Sequence, residues 1–157
     1  MNEVVGPIYY VFANHPDLKE RSFAEADTFF CFNNLMAEIQ CNFNRSLDQD
    51  FGIDPELLCH LNRLQLEPTY FAFRWITLLF SREFMLPDVL RLWDCIFADE
   101  HRFDLVLYIC CSMLILVRSE LLTCDFPQAV RLVQNYPYND VGCIISHALR
   151  LYNPHKK

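Results

Sequence analysis

Charged residues lie among large apolar side chains in one segment, FAFRWITLLFSREFMLPDVLRLWDCIFAD, residues 71–99. They include Arg74, Arg82, Glu83, Asp88, Arg91 and Asp94. Charges at such short intervals could line a catalytic cleft, form a partner-binding face, or make ion pairs between packed helices. Catalytic motifs are missing, since the chain has no GxSxG, HExxH, P-loop or GxGxxG pattern. Its five histidines are scattered, and we interpret each as a surface or satisfied core residue.

The composition favours a helical domain with a structural or protein-binding role. Hydrophobic residues make up 53% of the 157-residue chain and aromatic residues 15%, with only 3 Gly, which argues against disorder and against an architecture rich in β-turns. The formal net charge of -7 makes nucleic acid and anionic membranes poor partners. The length fits one domain.

The eight cysteines indicate a reducing compartment rather than a disulfide framework. Most of them lie in apolar runs, such as Cys110 and Cys111 in LYICCSMLIL, so we predict free thiols. The chain has no CxxC, and Cys59-His60 lacks a second ligand pair at zinc-finger spacing, so no metal site is predicted. Glu3 stands where a signal peptide would be basic, which predicts a cytoplasmic chain.

Apolar periodicity predicts an all-α domain with about seven or eight helices. The apolar run 105–117 is too short to span a bilayer and predicts a central helix buried on most sides. A further helix is predicted over residues 4–13. The predicted helix starts are Ser22 with Glu25 as a capping box, Asp54 with Pro55, Pro87 with Asp88, and the caps Asp104, Asp125 and Asp140.

The segment that carries the charges resembles the RWxxxLFxREFxLxDVLRxWD signature of the TBC domain, the catalytic module of GTPase-activating proteins for Rab GTPases. The matching residues are Arg74, Trp75, Phe80, Arg82, Glu83, Phe84, Asp88, Trp93 and Asp94. The upstream FAEADTFFCFNNLMAEI resembles the family's aromatic helix, and with MNEVVGPIYYVF the similarity runs over nearly the whole chain. The resemblance implies a multi-helix TBC-type fold, with residues 1–157 as its C-terminal portion, and a role in membrane trafficking, in the cytoplasm and at the periphery of trafficking membranes.

The same resemblance implies that the catalytic groups lie elsewhere. In the family, MN follows a YxQG motif that supplies a catalytic Gln, and a catalytic Arg lies further upstream. Met1-Asn2 matches that MN, so both fingers are expected before residue 1, and no catalytic residue, metal or cofactor is expected within the chain. The partner GTPase would carry GTP and Mg²⁺, and the chain alone is expected to be inactive. The alternative is a non-catalytic helical scaffold that binds a small GTPase or another protein.

Two groups of site residues follow from the resemblance. Asn2 and Glu3 are predicted to contact the partner, because they adjoin the position of the Gln finger. The signature residues are predicted to be structural: Trp75 and Trp93 as core anchors, and Arg82, Glu83, Asp88 and Asp94 as ion pairs that fix two successive helices, with Asp88 also in reach of Arg91.

Overall fold

The computed structural model describes residues 2–42, 53–67, 70–137 and 140–152. Within these ranges the chain forms ten α-helices and no β-strand, which confirms the predicted all-α class. The helices are α1 Asn2–Ala13, α2 Leu18–Arg21, α3 Ala24–Asn42, α4 Pro55–Arg63, α5 Ala72–Thr77, α6 Leu86–Ala98, α7 Arg102–Leu116, α8 Arg118–Thr123, α9 Phe126–Gln134 and α10 Val141–Tyr152. The two helices beyond the predicted number are α2 and α8, with 4 and 6 residues, which are too short to show apolar periodicity.

Local capping chemistry fixes several of the predicted helix starts. The Asp54 side chain accepts a hydrogen bond of 3.0 Å from the backbone N–H of Leu57 at the start of α4. Asp125 forms a capping box with Gln128 at the start of α9. At the start of α10 the Asp140 side chain accepts a bond from the backbone of Cys143.

Two predicted caps are wrong. Ser22 does not begin α3, because its hydroxyl donates to the carbonyl of Lys19 and ends α2, while α3 begins at Ala24. Asp104 lies inside the first turn of α7, where the helix dipole favours an acid, and His101 is the N-cap.

The core is built around α7, as the apolar run predicts. Nine of its residues are buried, because this helix is apolar on all faces and packs against α5, α6, α8 and α10. No helix in the described ranges has both the length and the apolar character needed to cross a bilayer.

A second set of contacts joins α1 to α3 and, less extensively, to α6. Val4 and Ile8 of α1 are buried, as are Leu35 and Ile39 of α3. Pro7 lies inside α1 and follows Gly6. A residue with a Cβ before proline is disfavoured in helical conformation, so the glycine lets the helix continue through this position. As one continuous helix, α1 lies alongside the start of α6.

Candidate partner-binding site

The signature turn, residues 78–85 between α5 and α6, follows an unusual backbone path. Leu79 and Phe80 have φ angles of 44° and 60°, in the left-handed region. This conformation costs non-glycine residues roughly 1–2 kcal/mol each. The cost is offset because both side chains are buried and because the indole N–H of Trp93 donates to the Leu79 carbonyl at 2.7 Å. The turn is therefore held in place by the core.

A bidentate ion pair closes the same turn. The guanidinium of Arg74 donates from Nε and Nη2 to the two carboxylate oxygens of Glu83, at 2.8 and 2.9 Å, and Nη2 also donates to the carbonyl of Gln134 at 2.7 Å. The Glu83 side chain is only 3% exposed. Burial raises the pKa of Glu83, and the bonds from Arg74 partly offset that rise. Arg74 therefore links α5, the signature turn and the end of α9.

This arrangement corrects the predicted ion pairs. Glu83 pairs with Arg74, and the ion pairs of the described residues include none of Arg82, Asp88 and Asp94. Adjacent side chains of the turn diverge, so Glu83 is directed inward while Arg82 is exposed. Asp88 lies in the first turn of α6, where the helix dipole favours an acid, and forms no ion pair with Arg91.

The two signature tryptophans are buried, as their spacing predicts. Trp75 is 0% exposed and Trp93 is 4% exposed. The Trp75 ring packs edge-on against Tyr136, and Trp93 supplies the indole bond to the signature turn. Trp93 therefore contributes to the geometry of the turn, and Trp75 to the core.

The predicted partner residues lie at the N-terminal end of α1, close to this turn. Asn2 is the first residue of α1, and its side chain lies outside the described part of the structure. Glu3 lies in the first turn, where a hydrogen bond from its own backbone N–H lowers the pKa of the carboxyl. The positive charge of Arg82 makes a smaller contribution in the same direction.

A groove of about 470 Å³ separates α1 from the signature turn and α6; we call it the α1–α6 groove. Glu3 lies on its wall, together with the apolar side chains of Pro7, Leu86 and Val89. Ser81 of the turn also lines it, and the Ser81 hydroxyl is buried without a hydrogen-bond partner in the described structure. The groove thus offers an apolar surface with the acid Glu3 on its wall.

Sequence reasoning missed most of these lining residues. It singled out Glu3, but not Pro7, Tyr10 or Ser81. The spacing of Pro7 and Tyr10, which places them on one face of α1, is the signal that could have found the α1 wall. Asp94 of α6, a signature residue, does not line the groove.

Comparison with known proteins identifies the family. Residues 1–122 match the Rab-GTPase-TBC domain family. The chain is 50% identical over 166 residues to TBC1 domain family member 13 of Homo sapiens, covering 96% of this chain and 42% of that protein. It is 42% identical over 102 residues to TBC1 domain family member 5 of Homo sapiens, covering 64% of this chain and 13% of that protein.

A solved structure shows the same fold. The Ypt/Rab-GAP domain of Gyp1p superimposes with a TM-score of 0.81 at 23% identity, covering 99% of this chain and 59% of that one. This chain therefore spans less than half the length of the curated relatives that it matches. With a family match over most of its residues and the all-helical fold of a Rab-GAP domain, the chain belongs to the Rab-GTPase-TBC domain family.

Proposed function

We propose that residues 1–157 form part of a GTPase-activating protein for Rab-family small GTPases and supply its docking surface. The observation that carries this proposal is the convergence of α1 and the signature turn in a chain of the TBC family, where Glu3 and Ser81 both line the α1–α6 groove. The partner would be a GTP-loaded Rab that carries GTP and Mg²⁺, at the cytoplasmic surface of trafficking membranes. Asn2 and Glu3 would contact it.

The catalytic step would depend on groups outside these residues. None of the arginines in the chain lies in the finger motif of the family, and by the resemblance MN at residues 1–2 would follow the Gln-finger motif rather than belong to it. An Arg finger alone contributes about 10³ to 10⁵ in rate. We therefore expect the 157-residue chain to bind a Rab without accelerating GTP hydrolysis.

The test is single-turnover GTP hydrolysis over a panel of Rab proteins, with binding measured in parallel. It compares the chain as it stands with a form extended upstream through both finger motifs. The extended form should bind and accelerate a subset of the panel, whereas the short chain should only bind. A rate with the short chain within about tenfold of that with the extended form would overturn the assignment of catalysis to upstream groups.

The same assay separates the proposal from the scaffold alternative. An extended form that binds GTP-loaded Rab tightly and leaves the hydrolysis rate unchanged would identify a non-catalytic scaffold. An extended form that neither binds nor accelerates any member of the panel would refute the proposed function itself.

A further inference from the structure

We propose that Arg82 and the α1–α6 groove dock an acidic and apolar segment of the GTPase, in which a carboxylate pairs with Arg82 and a neighbouring apolar side chain enters the groove. This inference rests on the proposed function and names the chemistry of the contact. It also replaces the structural role that the sequence predicts for Arg82.

The backbone at Arg82 is held in a rigid position. It stands between Phe80, which is fully buried, and Glu83, whose carboxylate is held at both oxygens by Arg74. The indole of Trp93 fixes the same turn from α6. An exposed arginine usually loses backbone and side-chain freedom when it binds. Here the core already fixes the backbone, so pairing at Arg82 costs less ordering entropy.

The charge of Arg82 is available to a partner. The nearest acid in sequence, Glu83, is fully engaged by Arg74. The ion pairs of the described residues involve Arg74, Arg102 and Arg118, and not Arg82. An exposed guanidinium without an ion pair is well suited to bidentate binding of a carboxylate.

The α1–α6 groove adds an apolar surface beside the turn that carries Arg82. Pro7, Leu86 and Val89 give it an apolar lining, and the Ser81 hydroxyl faces no hydrogen-bond partner in the described residues. Ser81 lines the groove and directly precedes Arg82, so a segment that pairs with Arg82 lies beside the groove. It can bury an apolar side chain there.

Charge selects the kind of partner. With a net charge of -7, the chain repels an extended polyanion such as a membrane surface or a nucleic acid. A single carboxylate beside an apolar residue needs only one local cation, and Arg82 provides it. We therefore favour a protein segment over a phosphate-rich surface.

The experiment measures the affinity of the upstream-extended protein, and of the 157-residue chain, for a Rab loaded with a non-hydrolysable GTP analogue. Arg82→Gln should weaken binding roughly tenfold to a hundredfold, and Arg82→Glu should weaken it further, because the partner carboxylate then meets a like charge. Arg82→Lys keeps the charge without the bidentate geometry and should lie between the parent and Arg82→Gln. The matched control is Arg131→Glu, an exposed arginine of α9 outside the groove and outside the ion pairs of the described residues.

The groove has its own variant and control. Tyr10→Ser removes an exposed aromatic ring from the groove wall and should weaken binding, whereas Phe29→Ser removes an exposed ring of α3 that does not line the groove. Raising the salt concentration should weaken the parent more than Arg82→Gln, since the variant lacks the charge that salt screens. Thermal unfolding of each variant separates loss of contact from loss of fold. If Arg82→Glu does not fold, the comparison is made with Arg82→Gln.

The outcomes separate the two proposals. If the parent binds a Rab and a folded Arg82→Glu binds equally well, or if Arg131→Glu loses as much affinity as Arg82→Glu, the docking inference is wrong while the proposed function stands. If the unaltered extended protein binds no GTP-loaded Rab, both are wrong. If Tyr10→Ser and Phe29→Ser weaken the affinity for the Rab equally, the groove is not part of the contact.

Discussion

Breaking the ion pair between Arg74 and Glu83 gives the sharpest test of how the signature turn is held. The change is Arg74→Met, which keeps an apolar stem of similar length and removes the guanidinium. It leaves the Glu83 carboxylate, only 3% exposed, without its cation, and the Gln134 carbonyl without its donor. We expect the free energy of unfolding to fall by about 3–5 kcal/mol, the cost of leaving a buried charge unpaired.

The magnitude follows from the contacts. Arg74 donates two hydrogen bonds to the carboxylate and one to a carbonyl, at 2.7 to 2.9 Å. Bonds to a charged group contribute about 1.5–3 kcal/mol each, and the Arg74 side chain is 26% exposed, so water recovers part of the loss. The free energy of unfolding of a native domain is about 5–15 kcal/mol, so the loss in this variant should be readily measurable.

Urea denaturation followed by tryptophan fluorescence measures the effect, because both tryptophans are buried and report on the core. The control is Arg102→Met, whose ion pair with Glu38 is longer, at 3.6 Å, and exposed, and should contribute about 0–1 kcal/mol. The double variant Arg74→Met/Glu83→Gln should recover at least about 1 kcal/mol relative to Arg74→Met. The reasoning fails if Arg74→Met costs no more than Arg102→Met, or if the two changes of the double variant are additive.

Three further predictions follow from the core. Trp93→Phe removes the donor to the Leu79 carbonyl and should lower the free energy of unfolding by about 1–3 kcal/mol in urea denaturation; an unchanged value would show that the turn does not depend on this bond. Burial raises the pKa of Glu83, so between the usual and the raised pKa the folded chain binds more protons than the unfolded chain. The free energy of unfolding should therefore fall as pH rises through that window. The free energy of unfolding, measured in steps from about pH 4 upward, should show this decrease in the parent and not in Glu83→Gln. A thiol reagent at neutral pH should label exposed Cys31 well before Cys111, because burial raises the pKa of Cys111 to about 12. In denaturant without reductant the same reagent should titrate all eight cysteines. A missing thiol would contradict the predicted reducing compartment.

Local signals explain what the sequence predicts well. The caps at Asp54 and Asp125 depend on neighbouring backbone groups, and the burial of α7 depends on its own apolar run, so each can be read over a few residues. The bond pattern of Ser22 shows the limit of such signals, since the same hydroxyl that could begin α3 instead ends α2.

The candidate site is harder to predict because it depends on backbone geometry and on distant contacts. Left-handed φ angles are usual for glycine, and nothing in the types of Leu79 and Phe80 reveals them. The backbone path of that turn places Glu83 against Arg74 and leaves Arg82 exposed. The α1–α6 groove likewise forms between helices that are far apart in sequence, so periodicity within either helix cannot locate it.

The packing of α1 has a consequence for motion. Within the described residues α1 packs mainly on α3, with smaller contacts to α2 and α6, whereas α7 is surrounded by four helices. The helices α1 to α3 can therefore open as one cooperative unit at a lower free energy than global unfolding, and their amides should exchange with solvent sooner than those of α7. One wall of the α1–α6 groove belongs to this unit and the other to the more stable core, so a ligand that bridges the groove would slow exchange in α1 by holding the two together.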